Sequence, residues 1–226
     1  MSCFKFGHLN VRSLMNGFDD FKNYLVMGDF DIFAVSETWL CPNIASDAVR
    51  VPNYHFLRRD RESRGGGLGF YVKEHISAKV ITTPVSSAFE QLWFSAKIKG
   101  KHYTFSALYR PPGSNLRDMI DCLDSTLSDI LPTTDVLFLT GDLNVDFLSV
   151  NSNSFLYINN LLESYGLTQM VGEPTRITDH CQTLIDVVIT SDSTLLQSIT
   201  VSDSGVNTDH LAVTCKLNVA RQKSSP

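Results

Sequence analysis

Apolar residues fall in short runs whose spacing changes from stretch to stretch. Phe4 to Asn10 alternates, with Phe4 and Phe6 either side of Lys5 and a polar close at Asn10, the period of a strand. Asp31 to Glu37 holds the unbroken run Ile32, Phe33, Ala34, Val35, and Val136 to Thr140 is equally continuous; both predict strands buried on two faces. Leu68 to Lys73 and Ala78 to Thr82 bracket Glu74 and His75 and predict a hairpin. Leu92 to Ile98 and Tyr103 to Tyr109 around Lys99, Gly100 and Lys101 predict a second. Leu184 to Thr190, Leu196 to Val201 and Leu211 to Leu217 complete the strands.

Helical spacing occurs three times. Phe18 to Val26 repeats Phe18, Phe21 and Leu25 behind an acidic first turn, Asp19 and Asp20. Asn115 to Leu131 sets Ile120, Leu123, Leu127, Ile130 and Leu131 on one stripe and stops at Pro132. Phe155 to Tyr165 groups Phe155, Ile158, Leu161 and Leu162, with Gly166 as its cap. About ten strands with three helices predict an α/β (α+β) class, two packed sheets with helices outside. The segments DFDIFAVSET and TDVLFLTGDLN share a design, a buried strand delivering a carboxylate at its end, which a duplicated layer or chance explains equally. Gly and Pro are spread evenly, so one domain over residues 1–220 is expected, with 221–226 a disordered polar tail.

Composition narrows the class. The chain has 226 residues, 43% hydrophobic and 19% charged, enough apolar content to offset ordering entropy. No apolar run reaches the roughly 18–20 residues of a spanning helix, and the start is too short in apolar residues for a secretory signal. The net charge of −5 argues against bulk electrostatic capture of polyanions but leaves room for a local basic lip. Cys3, Cys41, Cys122, Cys181 and Cys215 are scattered without a CxxC pair, which predicts reduced thiols in an intracellular protein.

Candidate chemistry sits where polar residues close apolar strands. Asn10 ends the first, Glu37 the second and Tyr109 the strand after the Lys99 turn; Asp142 and Asn144 follow Val136 to Thr140. Asp186 lies inside an apolar run, and Asp209 and His210 precede the last strand. In layered α/β folds such ends gather at one rim, and carboxylates, amides, a tyrosine and a histidine together suit a hard divalent cation and a phosphate. Each residue alone also reads as a turn former, cap or solvated end. Asp186 is the exception, because an ionised carboxylate among apolar neighbours needs a partner; His210 is the natural one.

Six blocks in order, HLNVRSL from His8, SETWL from Ser36, LYRPP from Leu108, TGDLN from Thr140, TLIDVVIT from Thr183 and TDHLAV from Thr208, resemble the endonuclease/exonuclease/phosphatase superfamily. SETWL, YRPP and RGGGLGFYVK (Arg64 to Lys73) look most like the apurinic-type endonuclease domain of LINE-type (non-LTR) retrotransposons. The resemblance implies a DNase I-like four-layered α/β-sandwich of two mixed sheets flanked by helices. It implies a Mg²⁺-dependent endonuclease, with Mn²⁺ able to substitute, that nicks one strand of double-stranded DNA. The 3′-hydroxyl left behind would prime reverse transcription. The partners implied are DNA, a reverse transcriptase domain in the same polyprotein and, through it, the element RNA; no membrane is involved, and the nucleus is the expected place.

Residue by residue, the resemblance implies Glu37 as main metal ligand with Asn10 beside it, and Asp209 supporting the metal or the His210 backbone. Asp142 would activate water, Asn144 orient the phosphate or that water, Asp186 hold His210, and His210 donate to a phosphoryl oxygen. Tyr109 would contact the phosphate, as phenol or phenolate. Where many members carry a second carboxylate, this chain has Arg12, which either touches a DNA phosphate or lies exposed. Arg110 is expected on a phosphate, and Arg176 and Thr178, on a predicted hairpin loop over Glu173 to Gln182, in a DNA groove. Arg58, Arg59, Arg61 and Arg64 crowd what reads as one solvated loop. The glycines of RGGGLGFYVK lack the following Lys and Ser/Thr of a phosphate loop and fit a tight strand entry instead. Competing readings are an abasic-site repair endonuclease or other phosphoesterase of the superfamily, and a catalytically silent DNA-binding module.

Overall fold

Two β-α-β units, one in each of two sheets, organise the chain in the computed structural model, which describes residues 3–61 and 65–221. In the first unit β1 (Cys3–Asn10), α1 (Phe18–Gly28) and β2 (Ile32–Ser36) place β1 and β2 side by side in parallel. In the second, β7 (Lys101–Tyr109), α2 (Leu116–Ile130) and β8 (Val136–Asp142) do the same. The likeness of DFDIFAVSET to TDVLFLTGDLN thus falls on equivalent strands, β2 and β8.

The remaining strands are β3 (Tyr54–Arg59), β4 (Leu68–Lys73), β5 (Ala78–Ile81), β6 (Glu90–Ile98), β9 (Thr168–Gln169), β10 (Arg176–Ile177), β11 (Gln182–Thr183), β12 (Asp186–Thr190), β13 (Leu196–Ser202) and β14 (Ala212–Ala220), with α3 (Asn153–Ser164) before β9. One six-stranded sheet runs β13-β14-β1-β2-β4-β3 and the other β5-β6-β7-β8-β12-β9; β10 and β11 form a separate ribbon. Each sheet mixes one parallel pair with antiparallel neighbours. The architecture is the four-layered α/β-sandwich.

Aromatic rings fill the space between the sheets. Phe105 stacks on Phe94 at 5.4 Å and on Phe138 at 5.7 Å and meets Phe6 of the facing sheet at 6.0 Å. On the outer face of the first sheet, α1 buries Phe21 and Leu25, and Phe21 meets Phe33 and Tyr71 there. On the far side, α2 buries Met119, Leu123, Leu127 and Ile130. Asn115 caps α2 by accepting from the Arg117 N–H at 2.9 Å. After α3, Gly166 takes φ +64° and the Leu167 N–H returns to the Leu162 carbonyl at 2.9 Å, the closure predicted from its glycine. The Lys99 hairpin also forms, with Lys99 and Gly100 both at positive φ, the geometry of a tight two-residue turn.

Three expectations change. Leu68 to Lys73 and Ala78 to Thr82 do not pair: β4 already has β2 and β3 on its two edges, so the chain crosses to the other sheet and β5 pairs with β6. The segment read as a charged loop contains the edge strand β3. Its arginines are anchors, not solvated charge: Arg58 pairs with Asp60 and donates to the Cys41 and Ile44 carbonyls, and Arg59 donates to the Gln91 carbonyl at 2.7 Å. Arg221, the first residue of the expected tail, is held by Asp29 and Asp31. Glu62 and Arg64 of the loop and residues 222–226 of the tail lie outside the described residues. All five cysteines are free thiols. Among the described residues no helix is long and apolar enough to cross a membrane.

Candidate active site

Strand register assembles the site. Across the parallel β7–β8 pair Tyr109 stands opposite Asp142, and across the antiparallel β8–β12 pair Asp186 stands opposite Asp142. Because β12 runs against β8, the start of one meets the end of the other, so a residue opening a strand joins residues that close theirs. In the facing sheet Asn10 pairs with Ser36, placing Glu37 one step beyond. A bridge between Arg176 and His210 brings the segment before β14 to the same rim.

Two turns there depend on glycine. Gly141 in TGDLN has φ +143°, and a Cβ would lie 1.9 Å from the Leu108 carbonyl oxygen, so β8 can lie against β7 at this point only without a side chain. Gly67 has φ +89°, and its carbonyl accepts from the Thr38 N–H at 3.2 Å while that of Gly66 accepts from Trp39 at 2.9 Å. The Gly-rich run braces the SETW turn rather than cradling phosphate. Glu37, Trp39, Arg12, Ser13 and Asn144 all have positive φ, a concentration of strained backbone at about 1–3 kcal/mol each that surrounding structure must hold.

Asn10, fully buried, donates from one amide nitrogen to Glu37 Oε1 at 3.0 Å and to Asp142 Oδ2 at 2.9 Å. The second Glu37 oxygen accepts from the Trp39 indole at 3.1 Å. Asp142 Oδ1 accepts from the Asn144 N–H at 2.9 Å, and His210 Nε2 lies 4.0 Å from Asp142 Oδ2. His210 Nδ1 meets Asp186 Oδ2 at 2.8 Å, the partner foreseen for that buried carboxylate. The backbone N–H groups of Ile185 and Asp186 both donate to the buried Thr175 hydroxyl, at 3.1 and 2.9 Å. Thr208 joins the His210 N–H to the Asn10 carbonyl.

These surroundings displace the titrations in opposite senses. Burial, then the neighbouring Asp186 charge, push Asp142 up to about 7, against the opposing pull of His210. Burial disfavours a charged His210, but the Asp186 charge and hydrogen bond and the Asp142 charge outweigh it and carry the imidazole up to about 9. A carboxylate ready to accept a proton thus sits beside an imidazolium ready to give one near neutral pH. Tyr109 is buried and hydrogen-bonded to Glu37; burial and the Glu37, Asp142 and Glu90 charges all hold its proton on. The phenol, not the phenolate, is the form present.

Other predicted site residues take different places. Arg110 is buried, its guanidinium donating to the Leu143, Ser114 and Asn144 carbonyls at 2.7, 2.8 and 2.7 Å; it pins the GDLN turn with all three of its nitrogens. Asp209 is bracketed by Arg12 at 3.0 Å and Arg176 at 2.7 Å, so two guanidiniums already balance the charge that a metal would use. Arg12 keeps half its side chain exposed, whereas Arg176 is drawn back onto Asp209. Thr178 caps the turn of the β10–β11 hairpin by accepting from the Cys181 N–H at 3.2 Å. Asn144 donates its amide to the Arg110 carbonyl at 2.8 Å. His8, Ser36, Trp39, Thr175 and Thr208 read in sequence as ordinary strand or turn residues, and the shared blocks contain all of them except Thr175.

A divalent cation is compatible with the oxygens at the rim. Asn10 offers nitrogen as placed and accepts the Arg12 N–H on its oxygen, which leaves Glu37 as the ligand. Asp142, Asp186 and His210 have ligand atoms within 4.8 Å of one another, but Asp186 already occupies the His210 Nδ1, and the three form an acid–base group more readily than a cage.

A family model described as "Endonuclease-reverse transcriptase" matches residues 103–214, a span holding Tyr109, Asp142, Asn144, Asp186 and His210. The chain belongs to the endonuclease/exonuclease/phosphatase superfamily. Superfamily members are metal-dependent phosphodiester hydrolases, and this chain is a nuclease of that kind. Its fold is that of the endonuclease domain of TRAS1, a telomere-specific non-LTR retrotransposon, at TM-score 0.77 and 11% identity over 96% of this chain and 100% of that one. It is also similar to an AP endonuclease from Archaeoglobus fulgidus, TM-score 0.75 and 15% identity over 96% and 100%. A 3′-5′ exonuclease from Neisseria meningitidis matches at TM-score 0.76 and 17% identity over 95% and 99%. No curated protein matches the chain in sequence. The resemblance to the superfamily, drawn from the six blocks, and to retrotransposon endonucleases, drawn from SETWL, YRPP and RGGGLGFYVK, is borne out by the family match.

Proposed function

We propose that the protein is a Mg²⁺-dependent DNA endonuclease of a non-LTR retrotransposon, nicking one strand in the nucleus to leave a 3′-hydroxyl that primes reverse transcription by a following domain. The observation that carries this reading is the Asp186–His210 pair set 4.0 Å from the Asp142 carboxylate.

Asp142 accepts the proton of the attacking water, while the Asn144 N–H bond fixes its free lone pairs toward the rim. His210, oriented by Asp186, donates from Nε2 to a phosphoryl oxygen and stabilises charge developing there. Tyr109 donates its phenol proton to the same group or orients Glu37. Mg²⁺ held by Glu37, whose carboxylate Asn10 and Trp39 fix, would neutralise charge on the phosphate and the departing 3′ oxygen. Arg12, half exposed beside Asp209, and the tip of the β10–β11 hairpin, including Thr178, would contact the duplex.

The test is nicking of supercoiled plasmid by the purified protein. Relaxation with Mg²⁺, none with chelator, and ends that a polymerase extends are expected. His210→Ala and Asp142→Ala should each lose about two to three orders of magnitude. Undiminished nicking by both would remove the mechanism.

A further inference from the structure

One fully buried titratable side chain at the site has no part in the chemistry above. His8 lies on β1 with 0% exposure. Its Nε2 is 3.0 Å from the Ser36 hydroxyl, and its Nδ1 faces Asp186 Oδ1 at 3.6 Å. Those two atoms, Nδ1 and Oδ1, are both buried and both lack a hydrogen-bond partner. Unpaired buried polar atoms are costly, and here the two face each other, so a small approach satisfies both.

We propose that His8 is a positioning residue for the reaction: its Nδ1–H donates to Asp186 Oδ1 while His210 donates to Oδ2, so that two imidazoles clamp one carboxylate. The tautomer follows from Asp186: its Oδ1 is the acceptor in this pairing, so the imidazole proton sits on Nδ1, and Nε2 accepts from the Ser36 hydroxyl. With Thr175 holding the backbone of Asp186 and His8 holding its second oxygen, the carboxylate has no freedom to rotate, and the direction of the His210 ring is set. The chain Ser36–His8–Asp186–His210 also joins the two sheets, because Ser36 and His8 stand in the first and Asp186 in the second. Ser36 immediately precedes Glu37, so the strand that carries the metal ligand and the group that carries the acid are tied through His8. The inference rests on the role proposed for His210.

The test compares His8→Leu, His8→Asn and His8→Gln with the unaltered protein in Mg²⁺-dependent plasmid nicking over a range of plasmid concentrations, with His210→Ala alongside. Asparagine puts an amide nitrogen near the position of Nδ1, glutamine near that of Nε2, and leucine supplies no donor. His8→Leu and His8→Gln should lower kcat roughly ten- to hundredfold at unchanged KM, and His8→Asn should recover most of that loss. The downfield ring proton of His210 in ¹H–¹⁵N spectra should shift in His8→Leu and return in His8→Asn. A His8→Leu protein that turns over at the unaltered rate overturns the proposal. So does equal impairment of folded His8→Leu and His8→Asn, which would mark His8 as packing only. Should His8→Leu not fold, equal rates for the Asn and Gln variants decide against it. Full activity in His210→Ala instead overturns the underlying reading, which a failure confined to His8 would leave standing.

Discussion

Asp142 and His210 divide the work of one active site because burial and charge act on them in opposite ways. Asp142 must be ionised to accept a proton, and its affinity reaches about 7; His210 must be protonated to donate, and it holds its proton to about 9. Activity should therefore rise as pH climbs through 7 and fall as it passes 9. A bell-shaped plot of kcat/KM against pH checks this, and a flat profile across the range would contradict the assignment. Arg110 makes the opposite case. Its three bonds to carbonyls are structural, so Arg110→Ala should lose at least about 2 kcal/mol of stability. Urea unfolding measures that loss; reduced DNA affinity at unchanged stability would put the arginine back on a phosphate.

At the scale of elements, the site is a matter of register and of one short ribbon. The β10–β11 hairpin is attached to the machinery through Thr175, which receives two N–H groups from the start of β12, and through the Arg176–Asp209 pair. Thr175→Val keeps the shape and removes the acceptor, stranding two buried N–H groups. The expected cost is about 1–3 kcal/mol, together with a fall in kcat larger than any change in KM, because Asp186 shifts with its backbone. Thermal melts and nicking kinetics on the same preparation distinguish this from a loop that merely binds DNA, where KM alone would rise. The hairpin itself was foreseen over Glu173 to Gln182, but its arginine was assigned to a groove. That assignment took Arg176 as a free charge, and its partner lies 33 residues away, beyond the reach of local pattern.

Across the whole molecule, two sheets share one aromatic interior, so neither is a separate folding unit. Phe105 touches rings from both, and Phe105→Ala should cost about 3–5 kcal/mol while unfolding remains a single transition. Fluorescence and far-UV circular dichroism followed in urea would test this; two separated transitions would mean the layers unfold independently. Charge belongs to this scale too. The net charge is −5, and Arg12, Arg58, Arg59, Arg110, Arg176 and Arg221 all have partners inside the chain. Little cationic surface is left from those side chains for holding phosphate backbone without regard to sequence.

Period and composition were enough to determine the strands of both β-α-β units, the three helices with the Gly166 cap of the third, and the closing positions of Asn10, Glu37, Tyr109 and Asp142, because each depends on neighbours a few residues away. The order of the six blocks determined the family for the same local reason. Only the tertiary structure decided which strands pair, since β4 and β5 have hairpin spacing yet sit in different sheets once the edges of β4 are occupied. It alone showed that Arg58, Arg59 and Arg110 are internal anchors and that Asp209 is spent on two guanidiniums. It alone placed His8 against Asp186, because a histidine within an apolar strand carries no mark of what it will face. Partners brought together across some 180 residues of chain are chosen by packing, and packing is a property of the folded whole.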